Sequence, residues 1–227
     1  MQMTGSFLRS VTLLSGGTVA GHLILFAAYP VLTRLYTPAD FGVLGAYAAL
    51  LTVLSRVAGW RFNAAIPVPR HDVAALNLLV LCFAAVVTTS LLALVVVWTC
   101  GAYIARWLNT PELAGYLWFL PLALMGSGIY LGLNAWAART GAYGLIAKTR
   151  ISQSCLQVGL QVGAGISGSG ALGLILGDAA GRAGGAGTLA ALVTRRYTGW
   201  RKGVSYNRLR AVARRYRHLP VFSTWST

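Results

Sequence analysis

The feature that most constrains this chain is a pair of apolar runs, residues 11–36 and 41–60, separated only by Thr37-Pro38-Ala39-Asp40. A bilayer core about 30 Å thick needs roughly 20 helical residues to cross it, so each run is long enough to span. So short a connection leaves no room for a soluble domain, and it predicts two helices that reverse direction across a membrane. Within the turn, Thr37 suits the N-cap of the second helix, Pro38 its first position, and Asp40 its first turn, where a carboxylate meets the positive end of the helix dipole.

Composition extends this reading to the whole chain. Of its 227 residues, 56% are hydrophobic and 10% are charged, whereas soluble domains carry about 25% charged residues. So few charges cannot clothe a globular surface, and the chain reads as an all-α polytopic membrane protein. A net charge of +15 would suggest nucleic acid in a soluble chain. Here the basic residues sit mostly at the ends of apolar runs and in one tail, so nucleic acid is not an expected partner. Cys82, Cys100 and Cys155 share no metal-ligand spacing and lie in or beside apolar runs. They are expected to pack as small apolar side chains, and no cofactor is expected. Arg9 before an apolar run imitates a signal peptide, but the run passes Gly16 and Gly17 to Tyr36 with no small-x-small cleavage site. An uncleaved first span is expected.

Six transmembrane helices are predicted, near residues 11–36, 38–60, 73–99, 114–138, 146–165 and 171–194. The third is the most hydrophobic and is expected to face lipid. A proline-containing loop over 61–72 and an interfacial loop over 101–113 separate the early spans, and Tyr103, Arg106 and Trp107 suit the headgroup belt. Trp118 and Trp136, at the two ends of the fourth span, read as further belt anchors.

The last two spans carry the informative polar residues. Gln153, Gln157 and Gln161 stand four apart, which puts three amides on one helix face. Amides in hydrocarbon are costly unless paired. These are therefore either interhelical hydrogen-bonding groups or one wall of a polar cavity for a hydroxyl-rich substrate. Gly173, Gly177 and Gly181 recur every fourth residue, the small-residue pattern that lets membrane helices pack closely. On the same helix, Asp178 and Arg182 form a charged pair that is either structural or part of a transport path. His22 in the first span and Arg56 in the second are further polar candidates; Arg56 either snorkels to the headgroups or faces a cavity.

Residues 1–195 thus form the predicted six-helix bundle, and 196–227 a basic segment with Arg201, Lys202, Arg208, Arg210, Arg214, Arg215 and Arg217. That segment is expected to meet anionic lipid headgroups, and residues 218–225 look like the opening of a seventh span. With the N-terminus inside, Arg9, Arg61, Arg70, Arg139, Lys148, Arg150 and the tail all fall on the cytoplasmic side, and only Arg34 and Arg106 fall in outer loops. The positive-inside rule therefore places both termini in the cytoplasm.

Several stretches together resemble one family: Leu14-Ser15-Gly16-Gly17-Thr18, Leu32-Thr33-Arg34-Leu35-Tyr36-Thr37-Pro38-Ala39-Asp40-Phe41-Gly42, the loop from Arg61-Phe62 to Pro69, Trp136 with Arg139, and Gly173-Leu174-Ile175-Leu176-Gly177-Asp178. The resemblance is to the polysaccharide-transport family of lipid-linked oligosaccharide flippases of the O-antigen type, in the superfamily of multidrug, oligosaccharidyl-lipid and polysaccharide exporters. It implies two six-helix bundles arranged as a V, of which this chain corresponds to the N-terminal one. It implies translocation of undecaprenyl-pyrophosphate-linked sugars across a bacterial inner membrane for surface polysaccharide or lipopolysaccharide. Other polysaccharide-assembly membrane proteins are then possible partners. On that reading Arg34, Arg56, Arg61 and Arg182 contact the phosphates, since a guanidinium fork matches phosphate geometry. The glutamine face meets sugar, and Asp178 is the candidate for coupling. Asn63 stands where the resemblance would place an acid, which removes charge from that position.

Two other functions compete. A membrane enzyme of the same pathway needs paired carboxylates to hold a metal–nucleotide sugar, but Asp40, Asp72, Glu112 and Asp178 are dispersed. A scaffold or inactive truncated product is the remaining reading. The topology itself is testable: a reporter fused after Thr227 is expected to be active only in the cytoplasm, and periplasmic activity would overturn the assignment.

Overall fold

The computed structural model describes residues 2–60, 62–69 and 71–196. Arg61, Arg70, the basic tail and the expected opening of a seventh span lie outside the described residues. The first reversal forms as its sequence suggests. Helices α1 (Gln2–Leu35) and α2 (Pro38–Ala58) flank Tyr36 and Thr37. The Thr37 N–H donates to Asp40 Oδ2 at 2.9 Å, and the Asp40 N–H donates back to Thr37 Oγ1 at 3.3 Å. This reciprocal capping box fixes where α2 starts.

The chain continues through α3 (Phe62–Ala65), a single turn inside the proline loop, and α4 (Asp72–Trp107). Two 3-10 turns, Pro111–Gly115 and Leu117–Phe119, lead into α5 (Leu120–Arg139), α6 (Tyr143–Ile166), α7 (Ala171–Ala183) and α8 (Ala186–Arg196). The regular structure of the described residues is helical throughout. Four helices are long and apolar enough to cross a membrane: Thr12–Leu35, Pro38–Ala58, Asp72–Trp107 and Leu117–Arg139. The protein is an all-α polytopic membrane protein. α6 and the α7–α8 pair pack beside these four.

Three expectations need correction. First, the interfacial loop predicted over 101–113 is helical as far as Trp107, because the stop signals lie further on. Asn109 takes the left-handed conformation that ends helices, with φ 52°, and Pro111 follows. Second, the sixth predicted span is two helices. Gly184 is extended (φ −56°, ψ 143°) and Gly185 has φ +81°, so the helix breaks between α7 and α8. Third, Trp136 is not a belt anchor. It is fully buried with Phe62, Ile66, Leu79 and Cys82, beneath the proline loop. Arg139, one turn further along α5, pins that loop from above. It pairs with Asp72 at 3.0 Å and donates to the carbonyls of Ile66, Pro67 and Pro69.

Close helix approach sets the rest of the packing. α1 and α6 run in the same direction, with Gly17 against Ala147, Gly21 against Arg150 and Ser154, and Gly165 against Leu35 and Tyr36. α6 and α7 run in opposite directions, with Gly173 against Ala164, Gly177 against Gln161, and Gly181 against Gln157. The glycine stripe and the glutamine face are thus two sides of one seam. α1 lies chiefly against α6, and α2 against α7 and α5. The α1–α2 hairpin therefore opens below its turn, and the space between its arms is where the site lies.

A methyl group at Gly177 would overlap the Gln161 side chain and stand 3.0 Å from the Gln157 carbonyl oxygen, whereas Gly163 on α6, the other helix of the seam, faces open space. Gly177→Leu is expected to lower the yield of folded, monodisperse protein in detergent severely. Gly163→Ala should be neutral or gain about 0.5–1 kcal/mol from helix propensity. Thermal melts of the two variants check the seam.

Candidate functional site

The open hairpin and the seam together enclose a polar cleft of about 240 Å³. α1 contributes Thr18, Gly21, His22 and Leu25; α2 contributes Ser55; α5 contributes Ser127, Tyr130 and Leu131. α6 contributes Arg150, Gln153, Ser154 and Gln157, and α7 contributes Gly181 and Arg182. These positions fall near the middle of α1, α5 and α6 and toward the end of α2 and α7. The cleft therefore lies at mid-depth in the bundle. Toward the α1–α2 turn it shrinks to a pocket of about 70 Å³ among Tyr29, Leu32, Phe41, Leu44, Gln161 and Leu174. Aromatic contacts close that end: the Tyr36 and Tyr29 rings each lie 6.4 Å from Phe41. Nothing on α4 lines the polar cleft. Its exposed row of Leu91, Leu92, Val95, Val96 and Trp98 suits lipid contact.

Two arginines supply the cleft's charge. Arg182 donates through Nε to Asp178 Oδ2 at 2.8 Å and through a terminal nitrogen to Thr52 Oγ1 at 3.4 Å. Arg150 lies with its guanidinium 5.7 Å from the centre of the Tyr130 ring, a cation–π contact. The Tyr130 hydroxyl is in turn 3.3 Å from Thr149 Oγ1. Among the described residues the ion pairs are Arg139–Asp72 and Arg182–Asp178, so Arg150 faces the cleft without a carboxylate. Ser55 and Ser127, 3.1 Å apart, join α2 to α5 across the floor.

The glutamines divide between the two roles open in the sequence. Gln153 is buried and its amide donates to the carbonyls of Arg182 and Gly184, the groups freed where α7 breaks. Gln161 is buried and its side-chain amide donates to the Leu174 carbonyl at 3.1 Å, while its backbone carbonyl accepts the Tyr36 hydroxyl. Gln157, between them, is half-buried and lines the cleft.

The structure brings Gln153, Gln157 and Arg182 into the cleft and puts Asp178 behind Arg182. Gln161 falls in the narrow end. Arg34 and Arg56 are exposed and line neither pocket, and Arg61 lies outside the described residues. Arg150 was missed, having been counted with the cytoplasmic loop charges. The signal was present: Arg150 precedes Gln153 by three residues and Gln157 by seven, which is the spacing of a single helix face.

A helical membrane bundle with a cationic, hydroxyl-lined cleft is the class that fold and site define. The chain matches the family model described as polysaccharide biosynthesis protein over residues 31–210, and it belongs to that family. No curated protein and no solved structure matches it. Membership gives the chain a role in polysaccharide biosynthesis or export.

The Gln153 amide satisfies buried carbonyls, and losing such a donor costs about 1–3 kcal/mol. Gln153→Leu is therefore expected to lower the melting temperature clearly, and Gln157→Leu much less. Equal losses in the two variants would contradict the division of roles.

Proposed function

We propose that the bundle forms one wall of a path that carries lipid-linked oligosaccharide, in the form of isoprenoid-pyrophosphate-linked sugar units, across the bacterial inner membrane. The observation that carries this is the pair of arginines, Arg150 and Arg182, in a polar cleft walled by membrane helices. A charge inside a bilayer is costly and marks a ligand or ion pathway when it faces a cavity. Guanidinium groups match phosphate oxygens. Around them, Gln157, Ser55, Ser127, Ser154 and Thr18 offer the mixed donors and acceptors that sugar hydroxyls need. Apolar helices on the outer side leave the hydrocarbon tail in lipid.

The carboxylates favour transport over catalysis. Asp40 is held in the α2 cap, Asp72 by Arg139 and Asp178 by Arg182. That leaves Glu112, in a 3-10 turn remote from the cleft. A sugar-nucleotide enzyme would need acids gathered at one place. A scaffold role has no need of cationic groups lining a cleft.

The test is binding by the chain in lipid nanodiscs. An undecaprenyl-pyrophosphate-linked sugar is expected to bind more tightly than the same lipid without phosphate. Arg150→Ala and Arg182→Ala should each weaken it about ten- to a hundredfold, since a charge-assisted hydrogen bond contributes about 1.5–3 kcal/mol. Affinity indifferent to phosphate, or to both arginines, would contradict the proposal.

A further inference from the structure

Tyr47 on α2 is fully buried, and its hydroxyl has no hydrogen-bond partner among the described residues. A bare hydroxyl in a packed bundle is costly, so its position calls for an explanation. α2 and α7 run in the same direction with a constant register. Asp40 sits against Gly170 at the top of the pair, and Thr52 bonds Arg182 lower down. Between those two points the register sets Tyr47 beside Asp178. Tyr47 packs in the same cluster as Ile175 and Ala179, the residues that bracket Asp178 on α7. It also lies within electrostatic reach of both Asp178 and Arg182.

Asp178 is itself buried, and the hydrogen bond it accepts from Arg182 comes from the side chain that also faces the cleft. An anion in the cleft competes with Asp178 for that guanidinium. If Arg182 turned to the anion and nothing replaced it, a bare carboxylate would remain in a low-dielectric bundle. We propose that Tyr47 is a positioning residue whose hydroxyl takes over the Asp178 carboxylate when Arg182 leaves it for an anion in the cleft. The Tyr47 hydroxyl, unpartnered among the described residues, is the donor held in reserve. No proton changes owner: Tyr47 O–H turns to donate to Asp178, and Arg182 keeps its charge. This deepens the reading of the cleft as a pyrophosphate site and rests on it, but part of its test needs no ligand.

That part is a stability cycle on the full chain. Tyr47→Phe alone removes a hydroxyl with no partner, so the melting temperature should stay the same or rise slightly. Arg182→Met imitates departure of the guanidinium and leaves Asp178 to Tyr47. In that background Tyr47→Phe should lower the melting temperature by about 4 °C or more. With Asp178→Asn added, the penalty should vanish. Arg182→Ala serves if the methionine variant fails to fold. The second part is binding of the pyrophosphate-linked lipid in nanodiscs, which Tyr47→Phe should weaken three- to tenfold in the otherwise native chain. Additive stability effects of Tyr47→Phe and the Arg182 substitution would overturn the exchange. So would unchanged binding by Tyr47→Phe in a chain that binds the lipid. If the native chain binds no pyrophosphate lipid while the stability cycle shows coupling, the substrate reading fails and the Tyr47–Asp178 exchange stands.

Discussion

The α6–α7 seam is the constraint on which the remaining structure depends. In lipid, two helices gain nothing by hiding apolar surface from water; they associate through close packing and hydrogen bonds. α7 supplies closeness through Gly173, Gly177 and Gly181, and α6 supplies hydrogen bonds through Gln153 and Gln161. Neither half works alone. A side chain at Gly177 would hold the helices apart, and glutamines without α7 carbonyls within reach would be buried unsatisfied amides.

The cleft follows from that seam. Gln153 ties down the carbonyls where α7 breaks at Gly184 and Gly185, so Arg182 stands at the end of a helix that stops inside the bundle. α1 rides on the other side of α6 through Gly17 and Gly21, while α2 stays with α7 through Thr52 and the Asp40 cap. The two arms of the first hairpin are thereby drawn to different partners. The gap between them is lined by what α5, α6 and α7 present there: serines, glutamines and two arginines, with Tyr130, Leu131 and Gly181 among them. The same closeness that stabilises the seam opens the hairpin.

What was legible in the sequence were patterns local to one helix. Thr37-Pro38-Ala39-Asp40 specified its own cap, and the apolar runs specified spans, because both depend on residues a few positions apart. The glycine stripe and the glutamine face were each visible, but a single sequence does not say that one receives the other. That pairing is a tertiary fact. The break at Gly184-Gly185 was hidden by apolar residues on both sides, which made residues 171–194 look continuous. Trp136 was misplaced because aromatic belts and buried aromatics share the same sequence signal at a helix end. Arg150 escapes a charge count for topology because it groups with Arg139 and Lys148 on the cytoplasmic side, whereas its spacing from Gln153 and Gln157 places it on the cleft face. Arg34 and Arg56 fit the expected chemistry by residue type, but their helix faces point elsewhere.

The central claim is that water and charge reach Ser154 and Ser127 inside the bundle while the α4 face meets only lipid. Single cysteines test it most directly, placed in turn at Ser154, Ser127, Leu92 and Val96 in a chain with Cys82, Cys100 and Cys155 replaced by alanine. A charged, membrane-impermeant thiol reagent applied to inside-out vesicles should label the two cleft positions quickly and the two α4 positions hardly at all. Labelling of Ser154→Cys and Ser127→Cys as slow as that of Leu92→Cys would contradict the account.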